Sequence, residues 1–173
     1  MDEYRIERMD YMIEIVNANQ DTQVNNEMRL EFRAISENEA FARTAVAAFV
    51  TQLNPTLEEI SDIKTAVSEA VTNAIIHGYD GMAREENWVW LTCFIKNDVL
   101  DVEVRDTGVG IENIEKAMQP LFTTKPELDR SGMGFAFMEA FMDDLEVSSE
   151  PGRGTSVHMV KKLGVSSWII NEE

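Results

Sequence analysis

The sequence predicts an α+β fold, a two-layer α/β sandwich with a mixed, mostly antiparallel sheet and its helices on one face. Two observations predict it. Segments whose apolar residues alternate at period two are interspersed with segments whose apolar residues recur at helical spacing. These segments lack the regular strand-helix-strand rhythm of a doubly wound parallel sheet, and hairpin-connected strands dominate the second half.

Met28, Leu30 and Phe32 alternate with Arg29, Glu31 and Arg33, which marks a first strand with one buried face. Ser36 and Glu39 have capping-box spacing, and Ala42, Ala45, Val46, Phe49, Val50 and Leu53 then line one side of a helix that ends by Pro55. Thr56 and Glu59 repeat the box. Ile60, Ile63, Val67, Ala70, Val71 and Ala74 continue as the apolar stripe of a longer helix that stops at Gly78. Two strand-like runs follow, Trp88 to Ile95 and Leu100 to Val104, around an Asn97-Asp98 turn. Beyond them come a glycine-rich loop, a short helical patch near Ile114 to Met118, a loop with Pro120 and Pro126, and a helix from Met133 to Phe141. Strands near Leu145 to Ser149 and Thr155 to Val160 close the domain.

Upstream, Ile6, Met9, Ile13 and Val16 fall at helical intervals before a polar stretch from Asn17 to Asn26. The expected division is therefore an extension over 1–24 with a short helix and linker, one domain over 25–162, and a tail over 163–173. A chain of 173 residues suits one buried core.

Bulk chemistry removes several function classes. The net charge is -17, from 32 acidic and 15 basic residues, and nucleic-acid affinity needs clustered cations. The lone Cys93 has no partner for a disulfide and no Cys or His neighbour at metal-ligand spacing, so it reads as a small buried hydrophobe. The acidic start lacks the basic and apolar regions of a signal peptide, and no apolar run is long enough to span a membrane. A cytoplasmic protein is expected.

Chemistry concentrates in four places. Glu69 and Asn73 lie four residues apart on a helix, so a carboxylate and an amide project from one face. Asn73 could offer an oxygen to Mg²⁺ while Glu69 takes a proton from a hydroxyl; alone, the pair reads more simply as the solvated side of an amphipathic helix. Asp106-Thr107-Gly108-Val109-Gly110 follows a strand, where Asp106 could accept from an adenine amino group, or simply start a turn. Ser131-Gly132-Met133-Gly134 opens a helix and leaves backbone amides toward phosphate, or is an ordinary loop-helix junction. Gly152-Arg153-Gly154-Thr155 leads into the final strand, where Thr155 could bond the base.

Taken in this order, Glu-x3-Asn, D-x-G-x-G, a proline-containing loop, G-x-G and G-x-G-Thr resemble the boxes of the Bergerat-fold ATPases, the superfamily of gyrase, histidine kinases and MutL. The wording SEAVTNAIIHGY, RDTGVGI and QPLFTTKPELDRSGMGF is similar, more closely, to the sporulation anti-sigma kinase family, over about Asn25 to Lys162. The resemblance implies ATP and Mg²⁺ as cofactors. It implies Glu69 as catalytic base, Asn73 as metal ligand and Asp106 with Thr155 at the adenine. Gly108, Gly110, Gly132, Met133 and Gly134 would form phosphate loops, with Thr123, Thr124, Lys125, Arg130 and Ser131 in a lid over the triphosphate. It further implies a serine kinase that sequesters a sporulation sigma factor and phosphorylates an anti-anti-sigma protein, with Glu39 and Arg43 docking these partners, in a homodimer. The alternatives are a nucleotide-gated anti-sigma binder without phosphotransfer and a general-stress anti-sigma kinase. Residues 1–24 and 163–173 and the segment Asp80 to Asn87 depart from the family pattern.

Walker-type phosphate loops and the motifs of eukaryotic-type kinases are absent from the sequence. A sensor histidine kinase needs an acceptor histidine on a dimerising helix, whereas His77 falls in a helix's last turn and His158 on a strand.

Overall fold

The computed structural model describes residues 25–121 and 132–164. The expected helix over 4–16 and the apolar cluster Trp168 to Ile170 lie outside them. Strand β1 (Asn25–Arg33) is followed by α1 (Glu37–Val50), a 3₁₀ turn (Thr51–Leu53) and α2 (Leu57–Asn73). Then come a π-helical turn (Ala74–Gly78), β2 (Trp88–Lys96), β3 (Val99–Asp106), α3 (Ile114–Ala117), α4 (Gly134–Phe141), β4 (Asp144–Glu150) and β5 (Gly154–Lys162).

The five described strands form one sheet in the order β1-β2-β3-β5-β4. Every pairing among them is antiparallel, so the sheet is simpler than the mixed one expected. The physical reason is connectivity. The β2–β3 and β4–β5 hairpins can only pair antiparallel. The crossover through α1 and α2 returns β2 antiparallel to β1, and the one through α4 places β4 at the sheet edge, with β5 between it and β3 and antiparallel to both.

Period-two alternation sets the two faces of the sheet. Val89, Leu91, Cys93 and Ile95 of β2, Leu100 and Val102 of β3 and Met159 of β5 are fully buried. They meet Val46, Val50, Ile63, Val67 and Val71 of the first two helices and Met138 of α4 in one core. The Cys93 thiol is pushed up to about 12 by burial, with a smaller contribution from Asp101, and this keeps it a neutral packing group. The other face carries half-buried Trp90, Thr92 and Phe94 of β2 and the Asp101–His158 pair at 2.7 Å.

Thr56 caps α2 as its spacing requires. Its side chain accepts from the Glu59 amide at 3.1 Å, and the Glu59 carboxylate accepts from the Thr56 amide at 2.6 Å. The same spacing at Ser36 and Glu39 gives no box. Ser36 already has helical backbone, and its side chain makes no capping bond. The Glu39 carboxylate is engaged across the helix pair instead, accepting from the Ser68 hydroxyl on α2 and lying 3.5 Å from Arg43. The second helix also does not simply stop at Gly78, because its last five residues widen into the π turn. Such turns shift the register of the side chains that follow. Among the described residues, no helix is long and apolar enough to cross a membrane.

Candidate active site

A cavity of about 640 Å³ opens between the C-terminal part of α2, the π turn, the loop after β3, the start of α4 and the β4–β5 hairpin. Its size falls in the range of small-molecule and cofactor sites. Asn73, Asp106, Gly110, Gly132, Gly134 and Thr155 all line it. Residues scattered over more than eighty positions of sequence thus meet where the four chemical segments converge.

Asp106 ends β3 with only 4% of its surface exposed. One carboxylate oxygen accepts from the Gly108 amide at 2.8 Å. Burial raises the Asp106 carboxyl to about 6, although backbone hydrogen bonds from Gly108 and Thr155 and the charge of Arg105 pull it down. A buried carboxyl poised there is an acceptor with strong directional preference, the group an adenine amino donor requires.

Backbone packs tightly around this carboxyl. Gly108 does not line the cavity; it lies behind it, and a side chain at that position would begin 2.0 Å from the Gly78 carbonyl oxygen. The Val109 amide donates to that carbonyl at 2.9 Å. Glycine is therefore required at 108 so that the loop can lie against the π turn.

Glu69 and Asn73 project from α2 toward the first turn of α4. A methyl group added to Gly134 would lie 3.0 Å from a Glu69 carboxylate oxygen and 3.3 Å and 3.4 Å from the two Asn73 amide atoms. The missing side chain at 134 thus leaves room for both groups. Met133 is the N-cap of α4 and makes no side-chain capping bond. Thr123, Thr124, Lys125, Arg130 and Ser131, expected over the triphosphate, lie outside the described residues. Glu39 and Arg43 sit on α1, and neither lines the cavity.

Two hydroxyl groups that sequence reasoning did not single out fasten the site. Tyr79 is buried; its hydroxyl donates to the Trp88 carbonyl at 2.6 Å and accepts from the Thr107 amide at 2.8 Å. Ser149 on β4 accepts from the Ile111 amide at 2.8 Å and donates to the Gly154 carbonyl at 2.9 Å, with the Thr155 hydroxyl 2.9 Å away. The Gly152 amide donates to the Val109 carbonyl at 2.8 Å, so the loop after β3 and the β4–β5 hairpin are joined at two points. His77, Asp80, Ile111, Lys116 and Phe135 also line the cavity without having been marked as site residues.

The family model of the histidine kinase-like ATPase domain matches residues 32–161. Over 148 residues, 86% of this chain and the whole of each relative, the chain is 53% identical to the anti-sigma F factor of Oceanobacillus iheyensis. Over the same span it is 54% identical to the anti-sigma F factors of Bacillus thuringiensis and Bacillus mycoides. The chain belongs to the anti-sigma F factor family of histidine kinase-like ATPases. The resemblance read from the ordered boxes is borne out, and so is the sandwich of helices on a sheet. Membership in the ATPase domain family brings ATP binding with it.

Proposed function

We propose that the protein is an anti-sigma factor that sequesters a sporulation sigma factor and, as an ATP-dependent serine kinase, inactivates the anti-anti-sigma protein that would release it. The observation that carries this reading is the shared placement of Glu69 and Asn73 against Gly134, which together with Asn73 lines the cavity that holds Asp106. A site built only to hold nucleotide would have no use for a carboxylate beside the phosphate-side glycines.

In the proposed reaction Asp106, assisted by Thr155, holds the adenine and the α4 glycines receive the phosphates. Glu69 takes the proton of the substrate serine. The serine oxygen bonds the γ-phosphorus, the bond from that phosphorus to the bridging oxygen breaks, and ADP leaves. Asn73 offers one oxygen, which suits Mg²⁺, an ion held by few protein ligands together with phosphates and water. When bound, Mg²⁺ would neutralise phosphate charge. Positioning accounts for most of the rate, which is why so small a domain suffices.

Glu39 and Arg43 would dock both partners on α1, so that sigma and anti-anti-sigma compete for one surface. A phosphate adds about 1.5 to 2 negative charges to the substrate serine and would favour its release from an acidic kinase. Homodimerisation and a cytoplasmic location belong to the same proposal. The relatives' printed name favours the sporulation branch over the general-stress one.

The test is to incubate the protein with Mg-ATP and a candidate anti-anti-sigma protein and follow substrate mass. A gain of one phosphate that Glu69→Gln abolishes supports the kinase. A substrate that binds but gains no mass leaves a nucleotide-gated binder and removes the catalytic role of Glu69.

A further inference from the structure

We infer that Lys116 is a further phosphate-binding residue of the nucleotide site, reading the charge of the polyphosphate chain. The inference rests on the reading of the cavity as the ATP site.

Lys116 is the sole lysine or arginine among the described residues that line the cavity. It faces an acidic surround, for Asp80, Asp106 and Glu112 line the same cavity, and the chain as a whole carries a net charge of -17. A nucleotide triphosphate brings several negative charges into this setting. Each would be repelled by that field unless a cation answers it.

The backbone of Lys116 is held in place. Its amide donates to the Asn113 side chain at 2.8 Å, which caps α3, and the next two amides donate to the Asn113 and Ile114 carbonyls at 3.0 Å and 2.9 Å. Its long aliphatic stem gives the ammonium reach along the cavity wall. Lysine is suited to this role as a mobile point charge, where a rigid fork is not demanded.

The spacing of Lys116 in the sequence gave no sign of it. Only the fold brings it to the cavity that Asn73 and Gly132 also line.

The experiment measures the affinities of Mg-ATP and of adenosine for the full chain, for Lys116→Gln and for Lys116→Arg, by calorimetry at low salt. Lys116→Gln should weaken Mg-ATP about tenfold and leave adenosine unchanged, with Lys116→Arg close to the wild type. Equal affinity of wild type and Lys116→Gln for Mg-ATP would overturn the proposal, placing the ammonium in solvent. A parallel loss of adenosine and ATP would overturn it too, because Lys116 would then shape the cavity without reading charge. Wild-type protein that binds neither ligand would instead defeat the reading of the cavity as an ATP site.

Discussion

The Tyr79 hydroxyl and the Thr107 amide lie 2.8 Å apart, tying the end of the π turn to the first residue after Asp106. The same hydroxyl donates to the Trp88 carbonyl at 2.6 Å, so three chain segments meet at one oxygen. The position of the Asp106 carboxyl is thereby set from outside its own strand.

Tyr79→Phe keeps the buried ring and removes that oxygen. The Thr107 amide would lose its partner in a part-buried site, at a cost of about 1–3 kcal/mol. The midpoint of urea unfolding should fall without a change in slope, and the thermal midpoint should drop by roughly 3–10 °C for a domain of this size. Adenosine affinity should fall as well, since the loop bearing Asp106 loses its anchor. Unaltered stability with unaltered adenosine affinity would show that the loop holds its shape without the hydroxyl.

Much of this architecture is legible in the sequence, and the failures have physical causes. The alternation of Val89, Leu91, Cys93 and Ile95 against Trp90, Thr92 and Phe94 gives β2 its faces because a strand's period is a local property. Thr56 and Glu59 give a true capping box, whereas Ser36 and Glu39, at the same spacing, do not. The pattern states what a helix start can use, while Ser68, in another helix, decides what Glu39 does use. Widening of α2 into a π turn leaves no trace in the apolar stripe. Tyr79 and Ser149 act through oxygens on amides 28 and 38 positions away, and no local period encodes such a distance. Glu69, Asn73, Asp106 and Gly134 were legible because their order along the chain, more than any single motif, is specific.

Gly134→Ala separates folding from chemistry. Gly134 is helical and outside the left-handed region, so alanine fits its backbone and raises helix propensity by up to about 1 kcal/mol. The new methyl would press on Glu69 and Asn73 at 3.0–3.4 Å and displace both by a few tenths of an ångström. Phosphotransfer is sensitive to such shifts, with roughly 1 Å of misplacement costing about a hundredfold. The variant should unfold at or above the wild-type temperature, yet turn over at least about tenfold more slowly. Full activity at full stability would mean that the two side chains relax without loss of geometry.

Asp106 makes a prediction in pH. Its carboxyl titrates at about 6 in the fold against 3.8 as an ordinary side chain, because burial penalises the charged form. Between those values the folded state holds a proton that the unfolded state has lost. Stability from this residue is therefore present in full below about pH 4 and declines as pH rises to about 6, by at most about 3 kcal/mol. The chain carries 32 acidic residues, so the contribution is read as a difference. Urea unfolding of the wild type and of Asp106→Asn, each from pH 4 to 7.5, should give curves that diverge through this window, the wild type losing more on the way up. Adenosine carries no phosphate to titrate and should bind the wild type more tightly as pH rises through 6, since its amino group bonds a carboxylate more strongly than a carboxylic acid. In Asp106→Asn that pH dependence should vanish together with most of the affinity. Parallel unfolding curves would show that Asp106 ionises near the ordinary carboxylate value, and that solvent reaches it more freely than its 4% exposure implies.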